Sequence, residues 1–344
     1  MARLGTGIGF RRYAARWAGP VFLWLLGMAV ATGLGGAAAQ TVDERAGHAA
    51  PSKLAAKSLL LDVARAGARL VAVGEFGHVV YSDDGGESWT QAADVPTQVT
   101  LTSIQFVNEL VGFAGGHDTT VLKTEDGGVT WTLAYHDRQT ETPIMTVLFD
   151  TEAHGWVMGA FSFVMETFDG GQTWEPRQLV EGSEDDYHLN KAFQAKDRTI
   201  FVAAEFGTVY RSTDGGQRFE AVQTPYQGSF WGGLGIDDGS VLLYGMRGTV
   251  YRTDDQGARW TKVETGTAKS FGGGVQLSNG TIILVGLGGA VAYSTDRGRR
   301  FTTVTQPDGL GYSAVAEGTG KTIVIFGESG VHIMANDAAA AGGG

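Results

Sequence analysis

Acidic side chains hold most of the positions at which this chain could do chemistry. Six of them sit in one recurring octet: Ser or Thr, then Asp at the third place, Gly at the fifth, and Trp or Phe at the eighth. The acids are Asp84, Asp126, Asp169, Asp214, Asp255 and Asp296. Glu75 and Glu205 stand in two matching Glu-Phe-Gly triplets, and Glu181–His188 packs four acids and a histidine into eight residues. A carboxylate can serve as general acid, general base or nucleophile. Two of them about 5–10 Å apart hydrolyse glycosides. An acidic loop can hold a hard cation.

The spacing favours architecture over catalysis. Steps between the octet acids are 42, 43, 45, 41 and 41 residues. A fixed period in the forties marks a repeat array. Within each octet the Gly (Gly86, Gly128, Gly171, Gly216, Gly257, Gly298) permits a positive φ. The Asp can accept N–H groups of its own turn. The octet is the Asp-box, or BNR, pattern, and its acids are expected to be structural. The closing ring is expected at the blade edge.

Each repeat reads as three short apolar strands, the box, then a fourth strand. In repeat two these are Leu101–Val107, Leu110–Ala114, Thr120–Thr124 and a strand from Trp131. Four-stranded units repeated radially make propeller blades. A seventh unit follows without a box: Tyr312–Ala316, Thr322–Phe326 and Val331–Met334, with Asp337 in the register of the box acid. The expected fold is all-β: a seven-bladed β-propeller of four-stranded antiparallel blades, spanning 58–337. Residues 40–57 read as a linker whose Pro51–Lys57 supplies the missing strand of blade seven, and 338–344 as a frayed tail.

Composition narrows the function classes. With 53 Gly and no Cys there is turn chemistry in plenty, but no disulfide, thiolate metal site or Cys nucleophile. Arg3, Arg11, Arg12 and Arg16 precede an apolar run, and Ala37-Ala38-Ala39 resembles a cleavage site, so 1–39 is expected to be a signal peptide. Trp17–Ala39 carries no charge, and an uncleaved inner-membrane anchor is the competing reading. Either way the body is expected in the periplasm. Without the four leader arginines, 22 basic residues face 37 acidic ones, a charge of −15, which argues against nucleic-acid binding.

Strand alternation puts the A–B turns and the boxes on one face, and the B–C turns and D–A loops on the other. Loops converging on a rigid scaffold bind ligands. The candidate binding residues on that second face are Glu75, Phe76, His117, Phe161, Tyr187, Glu205, Phe206, Trp231, Arg247 and Glu328. Aromatic and charged residues together suit protein recognition. The Glu181–His188 spacing matches no defined metal loop, so neither metal nor cofactor is expected. The histidines form no paired metal motif and read as loop residues.

Asp boxes occur in sialidases, whose site needs three arginines, a Tyr nucleophile with its Glu partner, and an acid. Arg247 is the only arginine in the expected B–C turns; Arg211, Arg218, Arg252, Arg259 and Arg300 fall on outer strands or in boxes. Glu75 and Glu205 should lie too far apart across a seven-bladed channel to act as a pair. No catalytic residues are expected, with a glycan-binding or glycoside-hydrolysing propeller as the alternative.

Gly155-Trp156-Val157-Met158-Gly159, followed by Met165–Arg177 with its Glu-Thr-Phe-Asp-Gly-Gly-Gln-Thr-Trp, closely resembles the photosystem II assembly and stability factor family. A looser copy runs through Val111–Gly115 and Lys123–Trp131. The resemblance covers about residues 59–334. It implies a seven-bladed, non-enzymatic propeller that binds a reaction-centre precursor during assembly, or in a non-photosynthetic relative another membrane-protein client, such as an envelope transporter. The arginine patch associated with that family has no counterpart here. The expected partner is a membrane protein or complex, and the expected state a monomer.

Overall fold

The computed structural model describes residues 47–137 and 139–336. They lie in one compact unit, 44–344; the other unit, 1–43, lies outside the described residues, as do the leader, Asp337 and the tail. Among the described residues no helix is long and apolar enough to cross a membrane.

Seven antiparallel sheets follow one another along the chain. Blade one is β1 (Leu60–Ala66), β2 (Arg69–Gly74), β3 (Val79–Ser82) and β4 (Thr90–Gln91). Blade two is β5 (Leu101–Phe106), β6 (Gly112–Gly116), β7 (Thr120–Thr124) and β8 (Thr132–Tyr135). Blade three is β9 (Ile144–Phe149), β10 (Gly155–Gly159), β11 (Val164–Thr167) and β12 (Glu175–Pro176). Blade four is β13 (Lys191–Gln194), β14 (Ile200–Ala203), β15 (Thr208–Ser212) and β16 (Glu220–Gln223). Blade five is β17 (Phe230–Gly235), β18 (Val241–Gly245), β19 (Val250–Thr253) and β20 (Thr261–Val263). Blade six is β21 (Phe271–Gln276), β22 (Ile282–Gly286), β23 (Ala290–Ser294) and β24 (Thr302–Thr305). Blade seven has only β25 (Tyr312–Glu317), β26 (Thr322–Gly327) and β27 (Gly330–Ala335). The fold is the seven-bladed propeller expected from the repeats.

Burial is deepest in the middle strands of the blades, the second and third. Every residue of β6, β10, β14, β18 and β22 is buried, which is why these runs read as continuously apolar or small rather than alternating. The boxes lock neighbouring blades against them. A Cβ on Gly216 would lie 2.4 Å from the ring of Trp156 in β10, and one on Gly298 would lie 2.8 Å from Leu242 in β18. The closing aromatics pack the same way. Phe219 meets Trp156, Trp260 meets Phe201, and Trp89 meets Phe326, all edge-to-face. These rings are therefore mortar between blades rather than blade-edge residues, as burial of about 150–250 Å² per aromatic would favour.

Ring closure departs from the expectation. Residues 47–57 contain no strand, and β27 has no outer neighbour among the described residues. Instead Ala49 and Ser52 bind the outer part of blade one, through Ala49 N–H to Val95 O and Ser52 N–H to Gln91 Oε1. The chain then makes a 3-10 turn, Ala55–Lys57, whose buried Ala55 shares a core with Leu60, Ala314 and Phe326. Pro51 has no N–H to give a ladder, and Ala55 fills the space between the two blades. Blades seven and one then meet through side chains: Ser313 Oγ–H donates to Leu60 O, and Arg65 donates to Glu317 O.

Candidate binding face

The box acids are consumed by their own turns. In all six, the first-position hydroxyl donates to the Asp Oδ1 and accepts the N–H of the fifth-position Gly, at 2.7–2.9 Å and 2.8–3.0 Å. Oδ1 also accepts the seventh-position N–H: Ser88, Thr130, Thr173, Arg218, Arg259 and Arg300. In repeats one to three the seventh residue adds its own hydroxyl, as Thr130 and Thr173 do at 2.6 Å to the second carboxylate oxygen. Arginine at that position in repeats four to six makes no such bond. The Thr173 hydroxyl and N–H hold Asp169 down to about 2, and the Ser88 hydroxyl depresses Asp84 further. All six carboxylates are bonded within their own turns.

On the opposite face the B–C turns of blades one to six each place two consecutive residues in the left-handed region, the first being Phe76 (φ 58°), Asp118 (52°), Phe161 (56°), Phe206 (53°), Arg247 (56°) or Gly288 (65°) and the second Gly77, Thr119, Ser162, Gly207, Gly248 or Gly289. The cause lies one residue later in the glycine turns. A Cβ on Gly207 would sit 1.8 Å from Tyr226 O, and one on Gly77 2.1 Å from Thr97 O, because each turn tucks beneath its own D–A loop. Tucking the turn in throws the preceding side chain out. Phe76, Phe161 and Phe206 are 60%, 61% and 61% exposed.

The glutamates at the head of these turns are structural. Glu75 Oε1 accepts Leu59 N–H at 2.9 Å, Glu205 Oε2 accepts His188 N–H at 2.9 Å, and Glu328 Oε2 accepts Gly311 N–H at 3.0 Å. Each ties down the segment leading into its own blade. Glu205 Oε2 also lies 3.3 Å from His188 Nδ1, a buried nitrogen with no hydrogen bond among the described residues.

The face divides into two groups. At blades three and four, Phe161 meets His188 edge-on at 5.0 Å, and Tyr187 lies against Phe206 at 5.2 Å. At blade one, Phe76, exposed Leu54 and buried His78 line a cavity of about 710 Å³ with the N-terminal segment. Burial pushes the His78 imidazole below its ordinary value, and Ser58 Oγ lies 2.9 Å from its Nδ1. His117 and Arg247 are exposed at the turns of blades two and five. Trp231 is displaced from the rim: it lies in β17 and lines the central channel, a space of about 320 Å³. Lys191 of blade four reaches Asp62 of blade one there at 2.8 Å. That ion pair spans the channel, so the ring is tighter at its centre than seven open blades suggest.

Sequence reasoning missed Leu54, His78, Asp62 and Tyr210. The fold-back of 47–57 belongs to no repeat, so nothing periodic marked Leu54. Tyr210 sits in an ordinary third strand, where an aromatic reads as core.

The comparisons agree with this architecture. Residues 135–289 match the family model described as Photosynthesis system II assembly factor YCF48, and 80–91 match the BNR/Asp-box repeat. A search of the curated proteins gives no match. Among solved structures, "YCF48 bound to D1 peptide" has a TM-score of 0.64 at 16% identity, covering 81% of this chain and 93% of that one. YCF48 from Cyanidioschyzon merolae has a TM-score of 0.65 at 13% identity, covering 85% and 99%. A streptogramin B lyase has a TM-score of 0.68 at 12% identity, covering 83% and 95%. Such low identities speak to the fold alone. The expected resemblance to the photosystem II assembly factor family is met, in the family match and in the fold.

Proposed function

We propose that this chain is an exported, non-catalytic scaffold that holds an extended segment of a membrane-protein client on the face of the B–C turns and D–A loops. One observation carries the reading. Three phenylalanines occupy left-handed backbone and stand about 60% exposed, on one face. A bulky residue at positive φ costs about 1–3 kcal/mol, and such strain gathers at ligand clamps. Exposed rings on a rigid ring of turns are what a peptide's apolar side chains would grip. The family match over 135–289, and a similar propeller solved with a D1 peptide, support a client of the photosystem II type. The basic, apolar, small-residue order of 1–39 supports export to the periplasm. The glycosidase alternative is weakened at Glu75 and Glu205, whose carboxylates are each occupied by a main-chain N–H.

The test is mild cross-linking of the tagged full chain in native membranes, then purification and mass spectrometry. A membrane protein should be recovered with the natural chain and fall at least tenfold with Phe76→Ser, Phe161→Ser and Phe206→Ser combined. Equal recovery with that variant sinks the face. Turnover of fluorogenic sialosides or glucosides that disappears with Glu75→Gln or Glu205→Gln would make the protein an enzyme.

A further inference from the structure

The loop between blades three and four arches over a cavity of about 210 Å³. Its two feet are fixed. Leu179 and Leu189 are buried in the core shared by these blades, and Ser162 N–H donates to Tyr187 O at 2.8 Å. The cavity is therefore built into the fold.

Its walls are of two kinds. Leu179, Val180, Leu189 and the exposed ring of Phe161 give an apolar side. Tyr210, Asp185, Gln178, Ser162 and Ser183 give a polar one. Tyr210 is 2% exposed, yet among the described residues no group hydrogen-bonds its hydroxyl. Burial, then the charges of Asp185 and Tyr187, push that hydroxyl up to about 12, so it stays protonated. Asp185 makes no ion pair among the described residues, and neither do Glu181, Glu184 or Asp186 beside it. The permanently basic groups nearest in sequence are engaged elsewhere: Arg177 by Glu166 and Lys191 by Asp62.

A long apolar stem with a cationic head fits these walls. The stem would lie on the leucines, as the methylenes of Lys and Arg do on apolar surface. The head would meet Asp185, the Tyr210 hydroxyl and the face of Phe161, which attracts cations. A hard metal ion would want six to eight oxygens and no apolar wall. Resting on the client-binding reading, we infer that the cavity takes a lysine or arginine side chain of the bound segment, so that the client is basic where it crosses blades three and four.

The test uses the full chain and fluorescein-labelled Gly-Phe-Arg-Phe-Gly, with Gln and Glu versions of the same peptide, read by polarisation. The arginine peptide should bind at least tenfold tighter than the glutamine one, and the glutamate one weakest. Asp185→Asn should remove most of that preference, and Tyr210→Phe should weaken arginine binding about threefold, with the melting temperature unchanged for Asp185→Asn. Equal affinity for Arg and Gln peptides, an unchanged ratio in Asp185→Asn, or no binding of any peptide overturns the inference. Membrane-client recovery separates the two proposals. Recovery that ignores Asp185→Asn while falling with Phe76→Ser overturns the cationic pocket and keeps the scaffold. Arginine-selective binding with no client recovered does the reverse.

Discussion

The two faces of the ring use the same device to opposite ends. Both are rows of tight turns that need positive φ. On the box face the turn side chains bond inward, to their own backbone, and the glycines and rings press on the preceding blade. There the chain repeats itself six times with little change. On the other face the backbone is also repeated, but the outward residue changes from blade to blade: Phe76, Asp118, Phe161, Phe206, Arg247 and Gly288. The difference teaches which residues carry structure. A side chain that must satisfy a neighbouring backbone is confined to one chemistry, whereas one thrown into solvent is free to diverge.

If that division is right, substitutions on the two faces should separate cleanly in unfolding experiments. The largest effect is expected from Gly216→Ala, which forces a Cβ to 2.4 Å from Trp156 at a φ of +86°. Urea denaturation should show a loss of about 2–4 kcal/mol, from overpacking and left-handed strain together. Acid should be the next most effective probe. Asp84, Asp126, Asp169, Asp214 and Asp255 are all held below the usual carboxylate range in the folded ring. A depressed folded value means their stabilisation is complete above the unfolded value and is lost as pH falls through the folded one. Melting temperature should thus stay level down to about pH 4, the ordinary range of an aspartate, and drop towards pH 2.

Smaller effects sharpen the contrast further. Thr130→Ala deletes the hydroxyl bond to Asp126 and should cost about 1 kcal/mol, while Arg218→Ala, at the same place in repeat four, should cost less than half of that. Phe161→Gly should change stability by less than about 1 kcal/mol, since relief of left-handed strain offsets the lost ring contact. A large loss there would mean that Phe161 belongs to the core after all.

Much of the ring was legible because its rules are local. The box states its own turn, and the apolar runs between boxes state the strands; β7 falls where the sequence places it, and β25, β26 and β27 match their expected runs to within one residue at each end. The second strand of blade two was set two residues early, at Leu110, because that exposed leucine reads as strand while Asn108 Oδ1 in fact caps a turn there by accepting Leu110 N–H. What sequence could not supply was contact between distant segments. Pro51–Lys57 was expected to complete blade seven, but its choice of the gap between blades seven and one depends on Leu60, Ala314 and Phe326, which no period connects to it. The roles of Glu75, Glu205 and Glu328 were hidden likewise. An acid in a turn looks the same in sequence whether it faces a ligand or an N–H 16 or 17 residues away. The pairing of Tyr210 with the acidic arch is tertiary in the same sense.

The most direct test places a photo-crosslinking phenylalanine analogue at one position per face: at Phe161, and at Thr173 in the box of blade three. Each full-length variant is irradiated in native membranes. The two-face account predicts client adducts from position 161 and none above background from position 173. Equal adducts from both, or adducts from the box alone, would contradict it.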